Sequence, residues 1–458
     1  MAYTDATHST YDSHKRDWEL IQRMLTLEEV EQELTQRYFE HDEHFRQRRK
    51  DSRDTEGLTA YLLTRLAGIL FQRADDVSRE LGPVLTEDDL EDAGPDDEDY
   101  SILLLQMAVK LLAYDEAVCI LNPASGWRIA TPLVRPNWTD EGVIITGHAA
   151  IGERLDADVE QIKTWTVYRP DGYQTYRRGK NREEPDDVLI DEGMWTADGA
   201  FFVDQAGTPV PPVLTVSVPW ETRLGLIVAK GHRAIFEMTS RRDFALSSAM
   251  NGLIQIGVGG DIDLADKIKD DTKGGAKMVP YAKEYGEHKG LEMPTAGIQI
   301  GNQVIDGKKE ELRRTAYDNL RQAAQQSATE AIIHQQGGAA AALSVMAETM
   351  ADAEQRMLHL WTQARDFRYA GPDPRPIDVS VTWPTDYSEI FADSDIADRL
   401  FGRTLPADTD TKTEVLVRTL EDAGIDVDEE RRTQLEAAVQ AQDDQRAQAA
   451  DAGGGFFG

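Results

Sequence analysis

The sequence predicts an α+β chain, and three observations carry that reading. Apolar residues recur with period two from about residue 117 to Trp220, the spacing of half-buried strands. Three later stretches, 221–253, 307–333 and 339–368, keep a helical period far beyond the usual mean of ~11–12 residues. The first hundred residues are helical in texture as well. With 458 residues the chain suits two or three packed units, and an apolar share of 40% is enough to bury real cores.

In chain order, residues 1–55 read as polar helices, with Trp18, Ile21, Leu25, Leu27, Val30 and Leu34 at helical spacing before the basic run Arg46–Lys50. Residues 58–80 give an amphipathic helix with Leu58, Leu62, Leu66, Ile69 and Leu70 on one face. Glu87–Asp99 is acidic around Gly94-Pro95 and reads as a solvated loop. Ile102–Tyr114 is a buried helix leading into the strand Ala117–Leu121. Further strands are expected at Val143–Thr146, on both sides of the turn Pro170-Asp171-Gly172, at Phe201–Val203 and at Val213–Val218. Gly225 and Gly231 weaken the expectation that 221–253 is one unbroken helix. A glycine-rich interlude, 257–307, precedes the second long helix, and His334-Gln335-Gln336-Gly337-Gly338 separates it from the third. After the prolines at 372–376 come short capped helices, including one opened by Thr411 with Glu414, and a Gly-Phe tail.

Charge and composition exclude several classes. There are 83 acidic against 49 basic side chains, a net charge of −34. Such self-repulsion suits a salty medium or a protein kept soluble by charge, and it disfavours tight static binding to a phosphate backbone. The single cysteine, Cys119, excludes an intramolecular disulfide and a four-thiolate zinc site, and its apolar neighbours mark a buried structural thiol. No apolar run approaches the ~18–20 residues that a membrane-spanning helix needs, and the first residues lack the pattern of a signal peptide.

Motifs for catalysis are weak. His41-Asp42-Glu43-His44 could present two imidazoles on one helix face, but no third ligand is evident and the stretch reads as a solvated face. Gly257-Val258-Gly259-Gly260-Asp261 lacks the third glycine of a dinucleotide loop and reads as a turn. Neither a phosphate-binding Gly-x-x-x-x-Gly-Lys-Ser/Thr nor a Gly-x-Ser-x-Gly elbow is present. One charge feature stands out: Lys267, Lys269, Lys273, Lys277, Lys283 and Lys289 are six of the 15 lysines. They mark either a charged exposed hairpin or a protruding contact surface for protein or nucleic acid.

The order of these parts resembles the portal proteins (head-tail connectors) of tailed bacteriophages. Tyr61-Leu62-Leu63 through Gly68-Ile69-Leu70-Phe71 is similar to an early helix of one portal subfamily. The stretch up to Val213–Trp220 is similar to the wing, and Ala347–Glu354 to part of the family's long kinked helix. Leu420–Ile425 is similar to a helix end in the crown. Gly337-Gly338-Ala339-Ala340 departs from the Thr or Ser with Gly-x-Ala seen in many relatives at the tunnel loop.

The resemblance implies a portal fold: an N-terminal arm (1–55), an α/β wing (56–220), stem helices (221–253 and 307–333) and a clip insertion between them (254–306). A tunnel loop (334–338), a long kinked helix with wing return (339–384) and a helical crown with tail (385–458) complete it. It implies a homo-oligomeric ring, commonly of twelve subunits, at one capsid vertex of the virion. That ring contacts the major capsid protein, the terminase large subunit and a head-tail adaptor, and double-stranded DNA passes through it without sequence-specific binding. His334, Gln335, Gln336, Gly337 and Gly338 would face the channel, and the six lysines would dock partners at the clip. It implies no catalysis in this chain, no cofactor and no metal. The other reading is an acidic, halophile-type soluble enzyme, a metal-dependent hydrolase using His41 and His44.

Overall fold

Helix formation at the start of the chain follows its apolar spacing. In the computed structural model, α1 (Ser9–Thr26) buries Trp18, Ile21 and Met24, is capped by the His8 ring, and ends at Leu27 in the left-handed region (φ 61°). A polar helix, α2 (Asp42–Asp51), follows. The structure describes residue 3 and residues 7–37, 40–54, 57–95, 98–123, 125–139, 142–151, 160–179, 187–195, 201–220, 223–250, 254–257, 278–281, 295–327, 338–371 and 374–387. They fall into two units, 1–316 with 349–383 and 317–348 with 384–458, and the first holds the sheets.

The helix expected over 58–80 stops early. α3 (Leu58–Leu70) buries the leucine face read from the sequence, but a 3₁₀ turn follows at Phe71–Asp76 with Arg73 outside helical geometry. Strand β1 (Ser78–Glu80) takes the rest and pairs antiparallel with the distant β12 (Ser380–Thr382). The acidic stretch 87–99 is likewise not all loop. Thr86 and Asp89 form a reciprocal capping box that opens a short helix, α4 (Glu87–Glu91), satisfying N-terminal donors locally.

Helix α5 (Tyr100–Tyr114) is the centre of the first unit. The Asp99 carboxylate accepts from the Ser101 amide at 2.7 Å, and Leu103, Leu104, Met107, Ala108, Leu111 and Leu112 are buried. Asp115 then turns the chain through φ 59° into β2 (Glu116–Asn122), which forms the middle of a three-stranded sheet between β3 (Gly126–Ala130) and β9 (Val213–Ser217). Gly126 is required there. Its φ is 78°, and a Cβ would run into the carbonyl of Ala93, which accepts from Trp127 N–H at 2.7 Å.

Five antiparallel strands form the second sheet in sequence order: β4 (Asn137–Thr139), β5 (Gly142–Ile151), β6 (Glu160–Tyr168), β7 (Gly172–Arg178) and β8 (Asp187–Met194). The turn expected at Pro170-Asp171-Gly172 joins β6 to β7, closed by Arg169 N–H on Gly172 O at 2.8 Å. The expected strand Phe201–Val203 is reduced to one bridge, Val203 with Pro209. Its partner is a side chain: Gln363 accepts from Val203 N–H at 2.9 Å and donates to its carbonyl at 2.7 Å. Two short strands, β10 (Ile254–Gly257) and β11 (Met278–Tyr281), pair parallel within the interlude.

The three long helices are present with changed bounds. They are α6 (Leu224–Met250), α7 (Thr295–Ser327) and α8 (Gly338–Arg365), of 27, 33 and 28 residues. Helix α6 runs unbroken through both glycines. Helix α7 begins twelve residues before the expected 307, so the last part of the expected clip, 295–306, is helix. Gly301, within the expected interlude, lies inside it. The chain is thus a mixed helix-and-sheet fold of the α+β class.

Candidate functional site

The feature that organises the second half of the chain is the long-helix pair. Leu312 of α7 covers Gly231 of α6, where a Cβ would collide with its side chain. Farther along, Arg242 donates to Asn302 at 2.9 Å. Contacts that advance along α6 as they retreat along α7 make the pair antiparallel, an extended hairpin whose connection is residues 251–294. Gly225, at the start of α6, lies against the Ala113 carbonyl at the end of α5, which fastens α6 to α5 within the first unit. Along its outer face α7 carries ion pairs at helical spacing, including Arg313 with Glu310 at 3.3 Å and Arg314 with Glu310 at 3.5 Å. These mark a solvated face and add little stability each.

In the second unit the small residues are buried: Ala323 and Ala324 on α7, and Ala339–Ala342 with Leu343, Met346 and Ala347 on α8. Of the expected tunnel loop, Gly338 is the first residue of α8, while His334, Gln335, Gln336 and Gly337 lie outside the described residues. Lys267, Lys269, Lys273, Lys277, Lys283 and Lys289 also lie outside them, as does the crown from 388 onward.

The metal reading finds no support in the geometry. His41 is the N-cap of α2, its Nδ1 accepting from the Glu43 amide at 3.4 Å, and the His44 ring is 5.9 Å away and inclined by 59°. Among the described residues no three His, Cys, Asp or Glu side chains converge as a metal-ligand set. Cys119 is fully buried and its thiol is pushed up to about 12 by burial, so it stays protonated at neutral pH.

Sequence reading missed the buried polar clusters. Asp54, His232 and Thr59 line up as carboxylate, imidazole and hydroxyl, with His232 Nε2 at 2.5 Å from Asp54 and Nδ1 at 2.8 Å from Thr59 Oγ1. The order resembles an acyl-transfer relay, but Thr59 is fully buried and its own amide also donates to Nδ1 at 3.2 Å. The imidazole therefore caps the first turn of α3 and joins it to α6. A second cluster holds the fully buried Glu354 of α8 between Arg79 at 2.5 Å and the Trp383 indole N–H at 2.7 Å. A third sets Arg135 on Glu116 at 2.6 Å and over the Trp138 ring at 3.9 Å. No local pattern distinguishes these residues from exposed neighbours of the same type.

Comparison with known proteins adds three findings. Residues 239–363 match a family model described as a domain of unknown function (DUF4055), about a quarter of the chain. That span runs from within α6 through α7 into α8, and so takes in the last part of α6, the 251–294 connection, all of α7, the 328–337 connection and most of α8. No curated protein matches. Among solved structures, a chain from the virion of a native gene transfer agent particle is 11% identical, with 81% of this chain and 90% of that chain covered and a TM-score of 0.33. That superposition is too loose to assign a fold. No helix among the described residues is long and apolar enough to cross a membrane.

Proposed function

We propose that this chain is a portal-type subunit: a virion structural protein that closes into a ring at one capsid vertex and provides the channel for DNA. The observation that carries the reading is the antiparallel pair α6–α7 with its 251–294 connection, preceded in sequence by an antiparallel sheet and followed, from Gly338, by a third long helix. This is the element order that the sequence resemblance implies for stem, clip, stem, tunnel loop and long helix.

The physics of the chain suits that task. Long helices with one buried stripe and one solvated face are struts, and copies set around an axis can share them. A net charge of −34 suits a conduit through which a polyanion must slide without adhering. Under this reading His334–Gly338 face the DNA and the lysines of 267–289 dock a packaging motor or a head-tail adaptor. No step of catalysis and no cofactor is assigned to the chain.

Packaging tests this directly. Replacing Gln335 and Gln336 together by Asp puts two more negative charges per copy at the proposed constriction. Virions carrying the double variant should assemble with normal protein content but hold less DNA, as read by nuclease-protected DNA per particle. Full DNA content in the double variant would remove these residues from the channel.

A further inference from the structure

Helix α2, Asp42–Asp51, has a composition that should not dock on anything. Its sequence is Asp-Glu-His-Phe-Arg-Gln-Arg-Arg-Lys-Asp, and its one buried residue is Arg48. The same holds for the described residues between 35 and 52, of which Arg48 alone is buried, 1% exposed. A helix normally docks by an apolar stripe; this one docks by a guanidinium.

All five N–H groups of that guanidinium have acceptors. Nε and Nη2 grip Glu40 at 2.8 and 2.9 Å as a fork. Nη1 reaches Glu237 at 3.3 Å and Ser240 at 3.2 Å, both on α6, and Nη2 also donates to the Thr35 carbonyl at 2.9 Å. The other oxygen of Glu237 accepts from the Thr35 amide at 2.9 Å, and Arg241 pairs with the same carboxylate. Ser52 meets Ser240 at 2.5 Å. Ring contact adds little, with His44 6.0 Å from Phe244. At the far end of the segment the Asp54–His232–Thr59 cluster pins the chain where α3 begins.

Attachment of this kind has a distinctive energy balance. Desolvation of the buried charges offsets most of their attraction, so the docked state gains little beyond geometric specificity. Segments with few buried apolar contacts open at lower free energy than the core. We infer that residues 40–52 form a polar latch on α6 that opens and closes as one unit, pivoting at Asp54, while α3, α5 and β2 remain closed. Opening bares the α6 surface around Glu237 and Ser240 without disturbing the sheets, which gives the long helix a second state of its surroundings.

Hydrogen exchange followed by mass spectrometry on the full-length protein tests this. In the unmodified protein, amides of Asp42–Asp51 should exchange together and at least about a hundredfold faster than those of Leu103–Leu112, the separation expected when a segment opens below the global free energy. Arg48→Met strands Glu40, leaves Glu237 only Arg241 and Thr35, and should speed exchange in 42–51 about a further hundredfold, leaving α5 unchanged. Ser240→Ala, a milder change, should give about tenfold in the same peptides. Exchange of α2 at the rate of α5 in the unmodified protein would overturn the latch. So would acceleration of both segments equally in Ser240→Ala.

Discussion

Replacing Gly225 by alanine should destabilise the protein by about 3 kcal/mol, near the upper end for an added methyl group in a packed site. The new Cβ would overlap the Ala113 carbonyl, its carbon and its Cα, all backbone atoms at the end of α5. Neither element can yield cheaply, because Ala113 is followed directly by the Asp115 turn into β2 and Gly225 stands in the first turn of α6. Its neighbours in the series make the comparison decisive. Gly231→Ala meets only the branched end of Leu312, which can rotate, so its cost should be smaller. Gly301→Ala and Gly307→Ala meet nothing within 4 Å among the described residues. Each should stabilise α7 by up to ~1 kcal/mol through helix propensity. Denaturant midpoints of the four variants should therefore rank with Gly225→Ala lowest and the α7 pair above the unmodified protein. A Gly225→Ala midpoint equal to the unmodified one would remove the α5–α6 contact from the account.

Glu354 should separate two kinds of substitution. Glu354→Ala removes the acceptor of a buried indole N–H and leaves a cavity at a fully buried position, so it should cost about 2–4 kcal/mol. Glu354→Gln keeps an acceptor for Trp383 and releases Arg79, a quarter exposed, to water. It should stay within about 1 kcal/mol of the unmodified protein. Burial raises the Glu354 carboxyl above its ordinary 4.5, outweighing the Arg79 guanidinium and the Trp383 N–H that pull it down. The folded protein therefore holds this proton to higher pH than the unfolded chain does. The stability it contributes is present below the unfolded value and is lost as pH rises through the folded one. Glu354→Gln removes that slope, so its stability relative to the unmodified protein should rise between about pH 5 and pH 8. Denaturation at both pH values reads the difference. A fall in relative stability over that range would mean that the ion pair, not burial, governs the carboxyl.

Much of the fold was legible because its signals are local and periodic. The leucines of α3, the apolar run of α5 and the Pro170-Asp171-Gly172 turn each stand where spacing and turn chemistry place them. The failures share a cause. Gly225 and Gly231 read as weak points of a helix because a sequence reports the cost of glycine and not the backbone pressed against it. The glycine-rich texture of 257–307 placed the expected start of α7 at 307, twelve residues late, for the same reason. The expected helix 58–80 lost its last residues to a strand because β12, about 300 residues away, pairs with 78–80. The buried polar residues were the least visible. Arg48 sits in the run Arg46-Gln47-Arg48-Arg49-Lys50, and nothing local tells which cation is desolvated. Of the residues expected at the channel and the clip, only Gly338 falls in a described element, so those assignments rest on the resemblance and the order of the helices.

The central claim is closure into a ring, and mass photometry at low and near-molar salt, with negative-stain imaging of any large species, tests it most directly. A chain of net charge −34 repels its own copies, and salt screens that repulsion. The expected result is a particle near twelve times 51.1 kDa with a central hole, its population rising with salt. A monomer or dimer at both salt concentrations would contradict the account.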